Sequence, residues 1–131
     1  MARHEMHLAI PAAASNVLIM RMAVCGMGML CGLEVDLIGD LRTVTGECCD
    51  CLLGRARVPE TLVADAALRD GRLVLTFTAQ GVGEGEGQPV DRDIAYGILS
   101  TLMPEVSLRE DELGIVEITC SMHVAGDEAH E

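Results

Sequence analysis

One apolar segment, running from Val17 to Leu33, limits most strongly how this chain can fold. Its only charged residue is Arg21, so the helix that the segment predicts is apolar on nearly every side. A membrane span needs about 20 apolar residues, and an arginine near its centre costs about 2.5–3.5 kcal/mol. We therefore predict no membrane association. We expect a helix inside a folded domain, covered by a sheet on one side and by a second subunit on the other.

The charge balance of the chain excludes several classes of partner. Twenty-one acidic residues against nine basic ones give a net charge of -12 and an isoelectric point near 4.5. Nucleic acids and anionic membranes are bound by clustered Lys and Arg, so neither is expected as a partner. Tyr96 and Phe77 are the only aromatic residues, which leaves no platform for stacking bases. We expect a protein partner that presents a basic surface.

The six cysteines indicate the compartment. Three of them, Cys48, Cys49 and Cys51, fall on one predicted helix, where neighbouring thiols cannot easily bridge each other. Secreted disulfide scaffolds space their cysteines more widely. Glu5 and Pro11 also interrupt the signal-peptide pattern that begins at Arg3. We predict reduced, buried thiols in a cytoplasmic protein, with no metal site.

The first half of the chain reads as a strand followed by two helices. Met6, Leu8 and Ile10 alternate with outward residues in a strand that ends at Pro11. A helix is predicted from Asn16 to Cys31, with Ser15 as N-cap and Gly32 as the glycine that ends it. A second helix is predicted from an Asp36 cap to Leu53. Its core stripe comprises Leu37, Leu41, Val44, Cys48 and Leu52.

The second half is rich in strands. Asp70-Gly71 lies between two apolar runs, Leu62–Leu68 and Leu73–Ala79, which predicts a hairpin. A glycine-rich acidic loop, a short helix around Ile94, Ile98 and Leu102, and a second hairpin follow. The inward residues of the last strand are predicted to be Val116, Ile118, Cys120 and Met122.

This order of elements predicts an α+β fold. Runs of strands, rather than strict strand–helix alternation, are typical of a two-layer sandwich. We expect helices on one face of a mixed, mostly antiparallel sheet. A chain of 131 residues without a linker forms one domain, predicted over residues 1–125, followed by an acidic tail over residues 126–131.

An ordered set of residues resembles the bacterial anti-sigma factor serine/threonine kinases, which belong to the ATPase superfamily of histidine kinases, DNA gyrase and Hsp90. The set comprises Ile10-Pro11-Ala12, Val17, Arg21, Gly26, Gly32, Asp36, Asp40-Leu41-Arg42, Glu47 and Cys49. Leu99–Val106 and Ile115–Met122 resemble the last helix and the final strand of that family. The resemblance implies a Bergerat-type ATP-binding fold, here with a shortened lid, and a homodimer. It implies a sigma factor, an anti-sigma antagonist protein or both as partners.

The resemblance also implies three nucleotide sites, and this chain departs from each. On the second helix, Glu47 matches the general base, but Cys51 stands where the family has the Asn that holds Mg²⁺. In the Asp-x-Gly-x-Gly turn the glycines remain as Gly81 and Gly83, whereas Ala79 replaces the Asp that binds adenine. A third departure, on the helix after the lid, places Ala95 where the family has a glycine that approaches phosphate.

These departures predict a regulatory binding protein rather than a working ATPase. We expect an anti-sigma factor that controls transcription by protein binding through its acidic surface and first two helices. No cofactor is expected, and ATP with Mg²⁺ would be required only if the family chemistry survives. One alternative is an active kinase that uses Glu47 as base and phosphorylates a serine or threonine of an antagonist. The other is a metal or redox sensor that uses the cysteines.

Overall fold

A computed structural model of the chain describes residues 4–124. The elements follow in the order β1 Glu5–Pro11, α1 Val17–Leu30, α2 Val35–Leu53, β2 Thr61–Arg69, β3 Arg72–Gln80, α3 Arg92–Leu102, β4 Glu105–Asp111 and β5 Gly114–His123. A short 3₁₀ turn, Ala14–Asn16, precedes α1. The tail predicted over residues 126–131 lies outside the described residues.

The strands form one sheet in the order β1-β2-β3-β5-β4. Every neighbouring pair is antiparallel, so the sheet that was expected to be mixed has no parallel pair among residues 4–124. All three helices lie on one face: α1 packs on β1 and β2, α2 packs on β3 and β5, and α3 packs on α2 and β4. The predicted two-layer α+β sandwich is therefore confirmed.

The hydrophobic core lies between these two layers. Alternate residues of β3, from Leu73 to Ala79, point into it, as the period of two predicts. The predicted stripe on α2 is buried from Leu41 to Leu52, while Leu37 is half-buried. The largest side chains that are almost wholly inaccessible are Phe77, Met20, Leu41, Leu52, Leu62, Leu73, Leu75, Leu99, Ile115 and Ile118.

Turn chemistry explains where several elements end. Asp70 and Gly71 both have positive φ, which is the conformation of the two-residue hairpin turn that their sequence predicts. Gly32 has φ of 78° and ends α1, as expected. The Leu33 amide then donates to the Gly28 carbonyl at 3.1 Å, which completes a Schellman motif.

Three local predictions were wrong. Ser15 lies inside the 3₁₀ turn, so it is not the N-cap of α1. Asn16 occupies that position, but its side-chain amide donates a hydrogen bond to the Pro11 carbonyl instead of accepting one from the helix. Glu34 is the N-cap of α2, and Asp36 lies in its first turn, where a carboxylate still stabilises the helix end.

The third error concerns β5. A bulge pairs Arg109 with Glu117 and Glu110 with Ile115, which leaves Val116 as the extra residue of that strand. The alternation of side chains therefore shifts by one position, and Ile115 replaces Val116 in the core. The remaining inward residues of the strand are buried as predicted: Ile118, Cys120 and Met122.

The apolar helix α1 is covered on one side. Its buried residues face the sheet and α2, whereas Leu18, Met22 and Met29 on the opposite side are between 63% and 66% exposed. No helix within residues 4–124 has the length and hydropathy that a membrane crossing requires. The second cover that the sequence predicts for α1 is not supplied by the described part of this chain.

Two glycine substitutions test this account of the helix ends. We expect Gly32→Ala to lower the free energy of unfolding by about 1–2 kcal/mol, because a Cβ is strained at positive φ. Gly97→Ala is the matched control inside α3, since no atom lies within 4 Å of the Cβ that the alanine would add. We expect it to raise stability by up to about 1 kcal/mol. Urea unfolding of both variants measures the difference, and equal effects would contradict the assignment.

Candidate functional site

The residues predicted to form the nucleotide site come from α2, β3, the loop after β3 and α3. Glu47 and Cys51 lie one helical turn apart on α2, and Ala79 lies near the end of β3. Gly81 and Gly83 are in the loop, and Ala95 is in the first half of α3. The fold brings the loop close to the end of α2, since a Cβ added at Gly54 would lie 3.0 Å from Val90 Cγ2 and 3.2 Å from the Gln88 carbonyl oxygen. The chemistry of each position decides whether a nucleotide fits there.

The Cys51 side chain does not suit Mg²⁺. It is buried, with 6% of its surface exposed. Burial, and to a lesser degree the carboxylates of Glu47 and Asp50, raise the pKa of the Cys51 thiol to about 11. The thiol is therefore neutral near pH 7, whereas magnesium is bound by oxygen ligands.

Ala79 offers no acceptor to an adenine amino group. Its methyl group is buried on the core face of β3, where it helps to complete the hydrophobic layer. Gln80 cannot replace the missing carboxylate, because successive residues of a strand point to opposite faces. The Gln80 side chain is exposed, and its carbonyl accepts the Glu60 amide at 3.0 Å.

The N-terminus of α3 is capped by a side-chain carboxylate of this chain. The Asp91 carboxylate Oδ1 accepts the Asp93 amide at 2.9 Å and the Ile94 amide at 3.1 Å. A phosphate at a helix N-terminus would need the same donors. The Ala95 amide donates to the Asp91 carbonyl as part of the helix, and the Ala95 side chain is buried. This helix end is therefore capped and negatively charged.

The glycine-rich loop is paired with the segment that follows α2. We call residues 55–58 the clasp segment. The Gly83 amide donates to the Val58 carbonyl at 2.8 Å, and the Val58 amide donates to the Gly85 carbonyl at 2.9 Å. The Gly87 amide donates to the Ala56 carbonyl at 3.2 Å. Two of the loop amides that a phosphate cradle could use are thus bonded to the protein's own backbone.

The loop glycines are explained by this close approach. A Cβ added at Gly83 would lie 2.7 Å from the Val58 carbonyl oxygen, and one at Gly87 would lie 2.5 Å from the Arg55 carbonyl oxygen. Real Cβ atoms do not approach that closely, so a side chain at either position would force the two backbones apart. The glycine-rich loop is therefore bonded to the clasp segment along its length.

Arg55 holds the clasp segment from the other side. The residue is 3% exposed, and its guanidinium donates to the carbonyls of Gly114 and Ile115 at 3.1 and 2.9 Å and to the Asp111 carboxylate at 2.9 Å. The hydrogen bond from Arg55 lowers the pKa of the Asp111 carboxyl. Sequence reasoning missed Arg55, because an arginine after a helix has no periodic pattern that separates a buried position from an exposed one.

Glu47 lines a charged cavity on the opposite side of α2 from the core. The cavity has a volume of about 370 Å³, and its lining comprises Leu18, Arg21, Arg42, Thr43, Gly46, Glu47 and Asp50. The Arg21 guanidinium lies over Gly46, where an added Cβ would be 2.5 Å from Nη2. Within residues 4–124, the buried Nε of Arg21 has no hydrogen-bond partner. The Arg21 side chain therefore contributes a positive charge to a cavity that Glu47 and Asp50 also line.

The cysteines are buried thiols, as predicted. Burial, and more weakly the Asp50 carboxylate, raise the pKa of Cys49 to about 12, which leaves that thiol neutral and unreactive near pH 7. A search of residues 4–124 finds no group of three or more His, Cys, Asp or Glu that could hold a metal ion. The sensor alternative therefore gains no support from the described part of the chain.

Comparison with known proteins identifies the fold. The chain superposes on a crystal structure of the RsbU and RsbW domains of Rv1364c from Mycobacterium tuberculosis with a TM-score of 0.73. The sequence identity is 14%, and the match covers 92% of this chain but 32% of that one. No protein-family model matches the sequence, and a search of curated proteins also finds no match. This likeness shows that the chain shares its two-layer α+β fold with that structure.

Two loop variants test the packing of the glycine-rich loop. We expect Gly83→Ala to lower the free energy of unfolding by about 1–3 kcal/mol, because its Cβ would overlap the Val58 carbonyl. Gly85→Ala is the matched control in the same loop, since its Cβ would make an ordinary contact at 3.5 Å. We expect the control to stay within about 0.5 kcal/mol of the parent. A loop that tolerates both substitutions equally in urea unfolding is not docked on the clasp segment.

Proposed function

We propose that this chain is a regulatory protein of the anti-sigma type that binds its partner without using a nucleotide. The likeness of its fold to a structure containing an RsbW domain supports the anti-sigma class. The chain spans about a third of that neighbour, so the partner and the activity belong to the proposal.

The contact between the glycine-rich loop and the clasp segment carries this proposal. A nucleotide in this fold would need donors from the loop and from the start of α3. Here the Gly83 amide is bonded to Val58, and the first free amides of α3 are bonded to Asp91. Breaking the Gly83–Val58 hydrogen bond and the Asp91 cap would expose unpaired backbone groups. It would also place a triphosphate among the carboxylates of Glu84, Glu86 and Asp91.

A sigma factor or an anti-sigma antagonist is the proposed partner. The net charge of -12 favours a protein with a basic surface. Within this acidic surface, the cavity beside α2 carries two positive charges, because Arg21 and Arg42 line it. A partner carboxylate that pairs with the Arg21 guanidinium would fix the orientation of the complex. We place the activity in the cytoplasm.

An active kinase is the second candidate, and one observation favours it. Glu47 is half-buried and lines an open cavity, so a substrate hydroxyl could reach its carboxylate. Against it stand the neutral thiol of Cys51 and the methyl group of Ala79, at the two positions that should hold Mg²⁺ and adenine.

Titration with Mg-ATP separates the two candidates. We expect no saturable heat below millimolar nucleotide, because each of the three nucleotide contacts is missing or already used by this chain. Micromolar binding, together with phosphate transfer to a partner that Glu47→Gln abolishes, would establish the kinase instead. A titration with Mg-ADP checks whether the γ-phosphate alone is responsible for weak binding.

Affinity capture from the source cell tests the partner class. We expect the full chain to recover a sigma subunit or its antagonist, identified by mass spectrometry, whether or not ATP is added. Arg21→Ala should reduce recovery at least about tenfold, because a buried charge-assisted pair is lost. Arg69→Ala is the control, since Arg69 is an exposed arginine on β2 beyond the cavity. Recovery of neither protein, or equal loss in both variants, contradicts the proposal.

A further inference from the structure

An apolar groove lies between α1 and α2 and opens to solvent. It has a volume of about 470 Å³, which is typical of small-molecule sites. Its apolar lining comprises Met22, Cys25, Met29, Val35 and Ile38. Burial raises the pKa of the Cys25 thiol, so this residue of the wall is neutral near pH 7. The groove therefore offers an uncharged surface to a hydrocarbon chain.

Two glycines leave room along the groove. A Cβ added at Gly26 on α1 or at Gly39 on α2 would have no atom within 4 Å outside its own helix backbone. Met22 and Met29, on either side of Gly26, are 66% and 65% exposed. Methionine side chains are unbranched and adapt to the shape of an apolar ligand. A hydrocarbon chain can thus lie over the glycines while the two methionines cover it.

The groove has two chemically different ends, because α1 and α2 are antiparallel. The Cys25 thiol donates to the Ile38 carbonyl at 3.8 Å, and residues earlier in α1 lie beside residues later in α2. Val35 therefore marks the end of the groove near the connection between the helices, and Arg42 marks the other end. From Val35 to Arg42 the helix rises about 10 Å, which is the length of a hydrocarbon chain of about eight carbons.

The charges at the two ends are of opposite sign. Within residues 4–124, Arg42 is the only charged residue that lines the groove, and its guanidinium makes no hydrogen bond and no ion pair. At the other end, Glu34 and Asp36 flank Val35 in the sequence. An anionic head group is therefore attracted to the Arg42 end and repelled from the opposite one.

The surroundings of Arg42 favour a head group with a single negative charge. Arg42 also lines the charged cavity beside α2, together with Arg21, Glu47 and Asp50. A carboxylate can pair with the Arg42 guanidinium through two parallel hydrogen bonds. A second negative charge on the ligand would be repelled by the carboxylates of Glu47 and Asp50. A carboxylate is therefore favoured over a doubly charged phosphate.

We propose that the groove between α1 and α2 binds a medium-chain fatty acid, with its hydrocarbon chain along Gly26 and Gly39 and its carboxylate at Arg42. This site goes beyond the proposed function, because neither the nucleotide positions nor a protein partner take part in it. Binding is measured on the isolated chain, so its failure would leave the proposed function untouched.

Titration calorimetry of the full chain with decanoate, below its micellar concentration, tests the ligand class. We expect one saturable site. Decyltrimethylammonium, which has a ten-carbon tail and a positive head, should bind at least about tenfold more weakly. The comparison is demanding, because a net charge of -12 attracts cations to the protein surface as a whole. Equal or tighter binding of the cation, or no binding of decanoate up to millimolar concentration, overturns the proposal.

Variants of two groove residues test the location. Arg42→Gln should weaken decanoate binding at least about tenfold, because it removes the charge that pairs with the carboxylate. Gly39→Leu should weaken it by a similar factor, because the new side chain fills the groove. Gly97→Leu is the matched control, since Gly97 is also a helical glycine with no atom within 4 Å of an added Cβ. Circular dichroism checks that each variant is folded, and a folded groove variant that binds decanoate as the parent does contradicts the site.

Methyl NMR of the methionines locates the bound chain directly. We expect decanoate to shift the methyl signals of Met22 and Met29. Met103, which is 2% exposed at the end of α3, is the internal control and should not shift. If decanoate leaves the two groove signals in place while dilution of the protein moves them, another protein chain occupies the groove and the proposal is wrong.

Discussion

The hydrogen bonds of the buried Arg55 guanidinium are the interaction on which the packing around the glycine-rich loop depends. It joins the segment after α2 to the turn between β4 and β5, through two carbonyls and the Asp111 carboxylate. A buried charge with a partner and several hydrogen bonds is costly to disrupt. The clasp segment is therefore held in one place, and the glycine-rich loop can pair with it on the other side.

Backbone donors that could hold a phosphate are bonded within the chain itself. The loop amides and the N-terminus of α3, which could hold phosphate, are occupied by Val58, Ala56 and Asp91 of the same chain. The positions expected to hold magnesium and adenine carry a neutral buried thiol and a methyl group. These separate positions agree with the proposal of a protein that binds its partner without a nucleotide.

Most of the fold could be predicted because local patterns and tertiary packing agree. The alternation in β3 and the Asp70-Gly71 turn appear in the structure as expected, and so does the stripe on α2 from Leu41 to Leu52. Predictions failed where contact with another element changed the conformation that the local sequence pattern favours. The bulge in β5 moved Val116 out of the core, and it depends on pairing with β4 that one strand's sequence does not contain.

The sequence by itself determined the layers of the fold, through the periodicity of its apolar residues, and the side-chain chemistry at positions 51 and 79, which residue type alone gives. Only the tertiary structure decided that the glycine-rich loop lies against residues 55–58, that Arg55 is buried, and that the buried Nε of Arg21 has no hydrogen-bond partner within residues 4–124. Each of these is a contact between residues distant in the chain. The identity of such partners is fixed by packing, and no periodicity of a single segment records it.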